Sequence, residues 1–185
     1  MASIASAEPI GATSALRRLY VIRFVFAAAW AALLLLFGSE LTVGAKLLLV
    51  LYPAFDVAAA VVDARSARAT GPVKGLYANM AASVLAAVGV AIAGTSGVAD
   101  VLRVWGAWAI VSGLIQLLVG VARRAMGGQW AMILSGGISV LAGGTFIRSA
   151  TQDDPSLTAL AGYATLGGIF FLVSAIRLSR STPRA

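Results

Sequence analysis

The chain has 185 residues, of which 60% are hydrophobic and 11% charged, with a net charge of +7. A soluble domain carries about 25% charged residues, so this composition excludes an ordinary soluble fold. The absence of Cys and His excludes disulfides, thiol nucleophiles, histidine acid–base chemistry and zinc or haem sites built on those ligands.

Residues 1–18 (MASIASAEPIGATSALRR) are polar to neutral, contain Pro9 and Gly11, and read as a flexible tail ahead of an uncleaved first helix. Six apolar spans follow, at 20–37, 47–62, 76–92, 101–121, 130–147 and 157–176. Each approaches the ~20 residues that carry a helix across a hydrocarbon layer of ~30 Å. Runs such as AALLLLF and LIQLLVGVA lack the alternation of a membrane β-strand. Helices also satisfy their own backbone hydrogen bonds, as lipid requires. Gly38-Ser39-Glu40, Thr70-Gly71-Pro72, Gly94-Thr95-Ser96-Gly97, Gly127-Gly128 and Asp153-Asp154-Pro155 punctuate the spans. Residues 19–178 are therefore expected to form one all-α integral membrane domain, with 179–185 as a short tail.

Lys and Arg fall on alternate connections. One side carries Arg17, Arg18, Arg23, Arg65, Arg68, Lys74, Arg123, Arg124, Arg177, Arg180 and Arg184, and the other only Lys46, Arg103 and Arg148. Eleven against three predicts both termini in the cytoplasm. This placement at the ends of apolar runs also argues against nucleic acid as a partner. The bilayer is the expected partner.

The even-numbered spans resemble one another: YPAFDVAAAVVDARSAR, WAIVSGLIQLLVGVARR and YATLGGIFFLVSAIRLSR. In each an aromatic (Tyr52, Trp108, Tyr163) precedes by four a polar or small residue (Asp56, Ser112, Gly167), and an Arg follows (Arg68, Arg124, Arg180). The copies are 56 and 55 residues apart, and the odd spans open on Tyr20, Tyr77 and Trp130. The pattern predicts three tandem helical hairpins, repeated about an axis along the membrane normal.

Asp56 is the most informative single residue. A charge deep in the apolar layer is costly, and such residues usually face a bundle interior and mark ion or proton pathways. Pro53, three residues before it, removes a backbone hydrogen bond. Asp63 lies seven residues later on roughly the same face. Two readings compete: a proton-titratable site with an acidic exit, or a neutral acid hydrogen-bonded to a neighbouring helix. Asn79 and Ser83 on the third span, and Ser112 and Gln116 on the fourth, are candidate partners, worth about 1 kcal/mol or less as interhelical bonds. Arg23 and Arg103 read as side chains snorkelling to headgroups. Most aromatics read as interfacial, Tyr52 and Trp108 as deeper. Stripes of small residues at spacings of four (Ala78, Ala82, Ala86; Ala109, Gly113; Ser135, Ser139, Gly143; Ala164, Gly168) suit close helix packing or an oligomer interface. No nucleophile–base pair, phosphate loop or metal-ligand cluster stands out, so neither catalysis nor a cofactor is expected.

WGAWAIVSGLIQLLVGVARR (105–124), QWAMILSGGISVLAGGTFI (129–147) and GYATLGGIFFLVSAIRL (162–178) together resemble the HdeD-like acid-resistance membrane proteins. YPAFDVAAAVV (52–62) is the corresponding first-repeat segment, with Asp56-Val57 where the later copies have Ser112-Gly113 and Gly167-Gly168. The resemblance covers about residues 17–180. It implies a six-helix protein of the bacterial inner membrane with a role in acid or envelope stress and no established catalytic residue. The residues themselves leave two other readings open: a small proton-linked transporter or channel using Asp56, and a scaffold whose small-residue faces bind another helix.

Overall fold

The computed structural model describes residues 8–67, 74–122, 124 and 129–181. Thr70-Gly71-Pro72, Gly127-Gly128, Arg68, Arg123 and Arg184 lie outside them. Six helices account for nearly all of it: α1 (Glu8–Phe37), α2 (Val43–Ala67), α3 (Lys74–Ala93), α4 (Val98–Ala122), α5 (Trp130–Ser149) and α6 (Thr158–Ser181). All six contain stretches long and apolar enough to cross a membrane. Leu36, Leu47, Leu85, Leu118 and Leu141 are exposed on their outer faces, where lipid is the matching solvent.

α1 starts inside the stretch expected as a tail. Pro9 falls in its first turn, where a missing N–H breaks no helical bond, and Ser-Ala-Leu-Arg-Arg-Leu continues it with good helix formers. The apolar span of α1 accordingly begins at Ser14, which places Arg23 nine residues inside it rather than at its mouth. α2 opens with Thr42 Oγ1 accepting the Ala45 N–H at 3.2 Å, a side-chain cap. Gly97 turns α3 into α4 with a φ of 135°, which side-chain-bearing residues rarely adopt.

The helices follow one another around a ring, and α6 closes it against α1. Successive hairpins are α1–α2, α3–α4 and α5–α6. Contacts between hairpins (α2 on α3, α4 on α5, α6 on α1) are in each case more extensive than contacts within them. Glycine explains the tightest seam. A Cβ on Gly113 would stand 2.6 Å from the Gly136 carbonyl oxygen, and one on Gly106 would stand 2.7 Å from that of Gly143. Backbone meets backbone at two points one heptad apart, as small residues allow. Between α6 and α1, a Cβ on Gly168 would meet the Ala27 Cβ at 3.2 Å. The α5–α6 seam is the loosest.

An even number of crossings returns α6 to the side from which α1 starts, here called the basic side. The half of the bundle away from it is filled. Trp30, Leu49, Leu102, Trp105, Phe146 and Leu160 are essentially inaccessible. Trp30 and Trp105 stack with ring centroids 5.4 Å apart, and Tyr52 meets Trp30 edge-on at 4.7 Å. The Trp30 indole N–H donates to the Leu48 carbonyl at 2.6 Å, in the turn before Pro53. Trp105, expected at a membrane interface, is thus part of a central plug, because its seat on α4 faces Trp30 across the ring. Trp130 and Tyr77 remain exposed near helix ends, as expected. Exposed Arg103 pairs with Asp100 on its own helix.

Candidate functional site

On the basic side of the aromatic plug the interior becomes polar. Asp56, midway along α2, points across the α1–α2–α3 corner and is 21% exposed. Its Oδ1 accepts from Arg23 Nη2 at 3.0 Å. Its Oδ2 accepts from Asn79 Nδ2 at 2.9 Å and Ser83 Oγ at 2.8 Å. Ser83 in turn accepts from the Trp108 indole N–H at 3.1 Å. The carboxylate is an acceptor in every contact, the arrangement of an ion pair braced by neutral donors rather than of a lone neutral acid.

Arg23 corrects the snorkelling expectation. Its guanidinium is 14% exposed, lies 4.8 Å from the Phe171 ring centroid, and turns inward to Asp56. A guanidinium has five N–H donors, and one of them is used here, on Asp56.

Both charges border a cavity of about 140 Å³. A water needs on the order of 10–15 Å³ of such space, so the cavity can hold several, or one small solute. Asp56, Asn79, Ser112 and Gln116 all line it, and Ser83 is bonded to Asp56, which brings five of the six singled-out residues to one place. Asp63 is two turns further along α2 and is not part of the wall. Ser135, Ser139 and Tyr163 supply further hydroxyls, and Ser139 Oγ and Tyr163 Oη are hydrogen-bonded at 2.9 Å. Tyr163 is therefore an interior group, not an interfacial one. Ile138, Leu166, Phe170 and Phe171 form the apolar part of the wall. Asn79 Oδ1 and Ser112 Oγ are buried and have no hydrogen-bond partner among the described residues.

The repeat explains why these residues meet. Tyr52, Trp108 and Tyr163 all line the cavity, as do Asp56, Ser112 and Gly167. The odd helices carry a second register that sequence reasoning missed. Arg23, Asn79 and Ser135 are 56 residues apart and all line the cavity. Ala27, Ser83 and Ser139 are also 56 apart. The Ser83–Trp108 and Ser139–Tyr163 bonds are thus equivalent contacts in successive repeats. In the remaining repeat Ala27 replaces the hydroxyl. The signal was present in the sequence but hidden by aligning the odd spans on their opening aromatics.

A second cavity of about 450 Å³ lies between α1, α5 and α6, lined by Leu16, Tyr20, Gln129, Ser174 and Arg177 among others. It shares Ser135, Phe170 and Phe171 with the first. These three residues form the partition between the polar cavity and a vestibule on the basic side. No cluster of His, Cys, Asp and Glu able to hold a metal occurs among the described residues.

No protein-family model, curated protein or solved structure matches the chain.

Proposed function

We propose that this is a small proton-linked transporter or channel of the bacterial cytoplasmic membrane, with the Arg23–Asp56 pair as the group that exchanges partners during passage. One observation carries the reading: a polar cavity large enough for several waters borders an ion pair midway through an otherwise apolar bundle. Charges at that depth are costly and are typical of pathways.

The titratable and charged groups around Asp56 are few. α1 contributes Arg23, α2 Tyr52, and α6 Tyr163; α3, α4 and α5 contribute only neutral groups to the wall, and Asp63, off the wall on α2, is within electrostatic reach of Arg23. Arg is not deprotonated in proteins. Asp56 is then the group that takes a proton when Arg23 leaves it for another partner, and loses it when the pair re-forms. The vestibule supports access from the basic side, and the Trp30–Trp105 plug supports closure on the other. The excess of Lys and Arg on the vestibule side favours placing that side, with both termini, in the cytoplasm.

Purified protein in liposomes loaded with a pH-sensitive dye should take up protons under an imposed gradient faster than empty liposomes. Uptake should fall in Asp56→Asn. Equal rates in wild type and Asp56→Asn would sink the assignment of Asp56.

A role in acid or envelope stress tolerance is the second reading. It rests on the likeness to the HdeD-like proteins and is favoured by the hairpin repeat whose equivalent positions meet in one cavity. Deletion should then lower survival at low pH, and unchanged survival would remove the reading.

A further inference from the structure

The three repeats do not fill their equivalent positions alike, and the difference describes a ligand. Across the α2–α3 seam, the even-helix position holds Asp56 and the odd-helix positions hold Asn79 and Ser83, which bind its carboxylate. Across the α4–α5 seam the same positions hold Ser112 with Ser135 and Ser139. Across the α6–α1 seam they hold Gly167 with Arg23 and Ala27. That last seam has the cation but no carboxylate of its own. A Cβ on Gly167 would meet nothing within 4 Å, and Gly167 lines the cavity. Open space therefore stands at the position equivalent to Asp56.

The hydrogen-bond capacity of the pair is lopsided in the same sense. Asp56 already accepts three bonds. Arg23 donates one among the described residues, lies against the Phe171 ring, and is within electrostatic reach of Asp63. Ser112 Oγ, 8% exposed, borders the same cavity without a partner among the described residues. Asn79 Oδ1 is an unpartnered acceptor among the described residues, and the Ser112 hydroxyl can donate or accept, but the charged spare capacity is that of the Arg23 donors, so the group it would take is an acceptor. A guanidinium fork matches a carboxylate in shape and charge, and Leu166, Phe170 and Phe171 offer an apolar surface beside it.

We infer that the cavity binds a short-chain carboxylate anion, with its carboxylate on the free edge of Arg23 beside Gly167 and its hydrocarbon end against Leu166 and Phe170. This names the substrate class for the site proposed above and rests on that reading. Binding adds one negative charge to a neutral pair. Passage with one proton on Asp56 then moves the anion and the proton together, and the ligand reaches the far side as its neutral acid equivalent.

The test is binding to the full chain in phosphatidylcholine nanodiscs, followed by calorimetry and by tryptophan emission, since Trp108 lines the cavity. Sodium propionate is the probe, with methylammonium, glycerol and sodium nitrate as comparisons. Propionate should bind saturably and best of the four. Arg23→Gln should weaken it about tenfold or more, the loss expected with a charge-assisted contact. Gly167→Asp should weaken it comparably, because it puts a carboxylate of the chain in the ligand's place. The Cβ of that variant meets nothing within 4 Å, so it carries the test even if Arg23→Gln fails to fold. Absence of saturation with propionate, preference for methylammonium, glycerol or nitrate, or unchanged binding in Gly167→Asp would overturn the inference. Proton uptake in liposomes separates the two proposals. Uptake without propionate binding removes the carboxylate site and keeps transport. Propionate binding without uptake keeps the site and removes transport.

Discussion

At the scale of single residues, the centre of the molecule is a carboxylate with three donors. Removing its charge leaves Arg23 unpaired in a largely buried place, whereas removing one neutral donor costs a single bond. Asp56→Asn should therefore destabilise by about 1–3 kcal/mol, and Ser83→Ala by about 1 kcal/mol through loss of its bonds to Asp56 and Trp108. Thermal unfolding in detergent, followed by tryptophan emission, checks both. Combining Asp56→Asn with Arg23→Gln should cost less than the sum of the single changes, because neither charge is then left alone. Asp56 was legible in the sequence because an acid inside an apolar run has few explanations. Arg23 was not, because the span appeared to start at Tyr20 and any Arg within a turn of a helix end reads as snorkelling. Only the helical extension back through Ser14 puts it at depth. Asn79 and Ser112 were recognisable as polar residues in spans, but their shared cavity depends on which way each helix faces, and the helices are too uniformly apolar to show that.

At the scale of helices, seams between hairpins dominate, and glycine sets the closest of them. A side chain at Gly143 would put its Cβ 2.5 Å from the Gly106 carbonyl oxygen, so Gly143→Val should force α4 and α5 apart. The expected loss is about 1–3 kcal/mol, the usual scale of overpacking. The adjacent Gly144 meets nothing within 4 Å. Gly144→Ala should leave the melting temperature unchanged or raise it, with a gain of at most about 1 kcal/mol from helix propensity. A melting comparison of the two neighbours isolates the packing effect from general intolerance of substitution. The spacing of small residues made a close-packed face legible. It did not reveal which helix lies on it, and chain order suggested the hairpin partner, whereas α4 packs most closely on the first helix of the next hairpin.

At the scale of the whole molecule, the interior is layered from a vestibule through a polar cavity to an aromatic plug. The chain contains no Cys, so single cysteines can be introduced without background. Ser135→Cys, in the partition between the two cavities, should react with a membrane-impermeant thiol reagent from the basic side. Leu102→Cys, inside the plug, should not react from either side. Labelling of right-side-out and inverted vesicles would also fix which side is cytoplasmic. The six spans and the all-α class were readable from hydropathy alone, because length and apolarity decide them. The layering was not, because it arises from three hairpins meeting about a common axis.

The 3.0 Å ion pair has an electrical consequence. A membrane potential acts on net charge, at about 2.3 kcal/mol per elementary charge per 100 mV. Arg23 and Asp56 together carry none, so the empty bundle has little for voltage to pull on as it rearranges. An anion travelling with a proton preserves that neutrality. An anion travelling alone does not, so a current across a planar bilayer that appears only with propionate and has the sign of anion entry would show that the proton had been left behind.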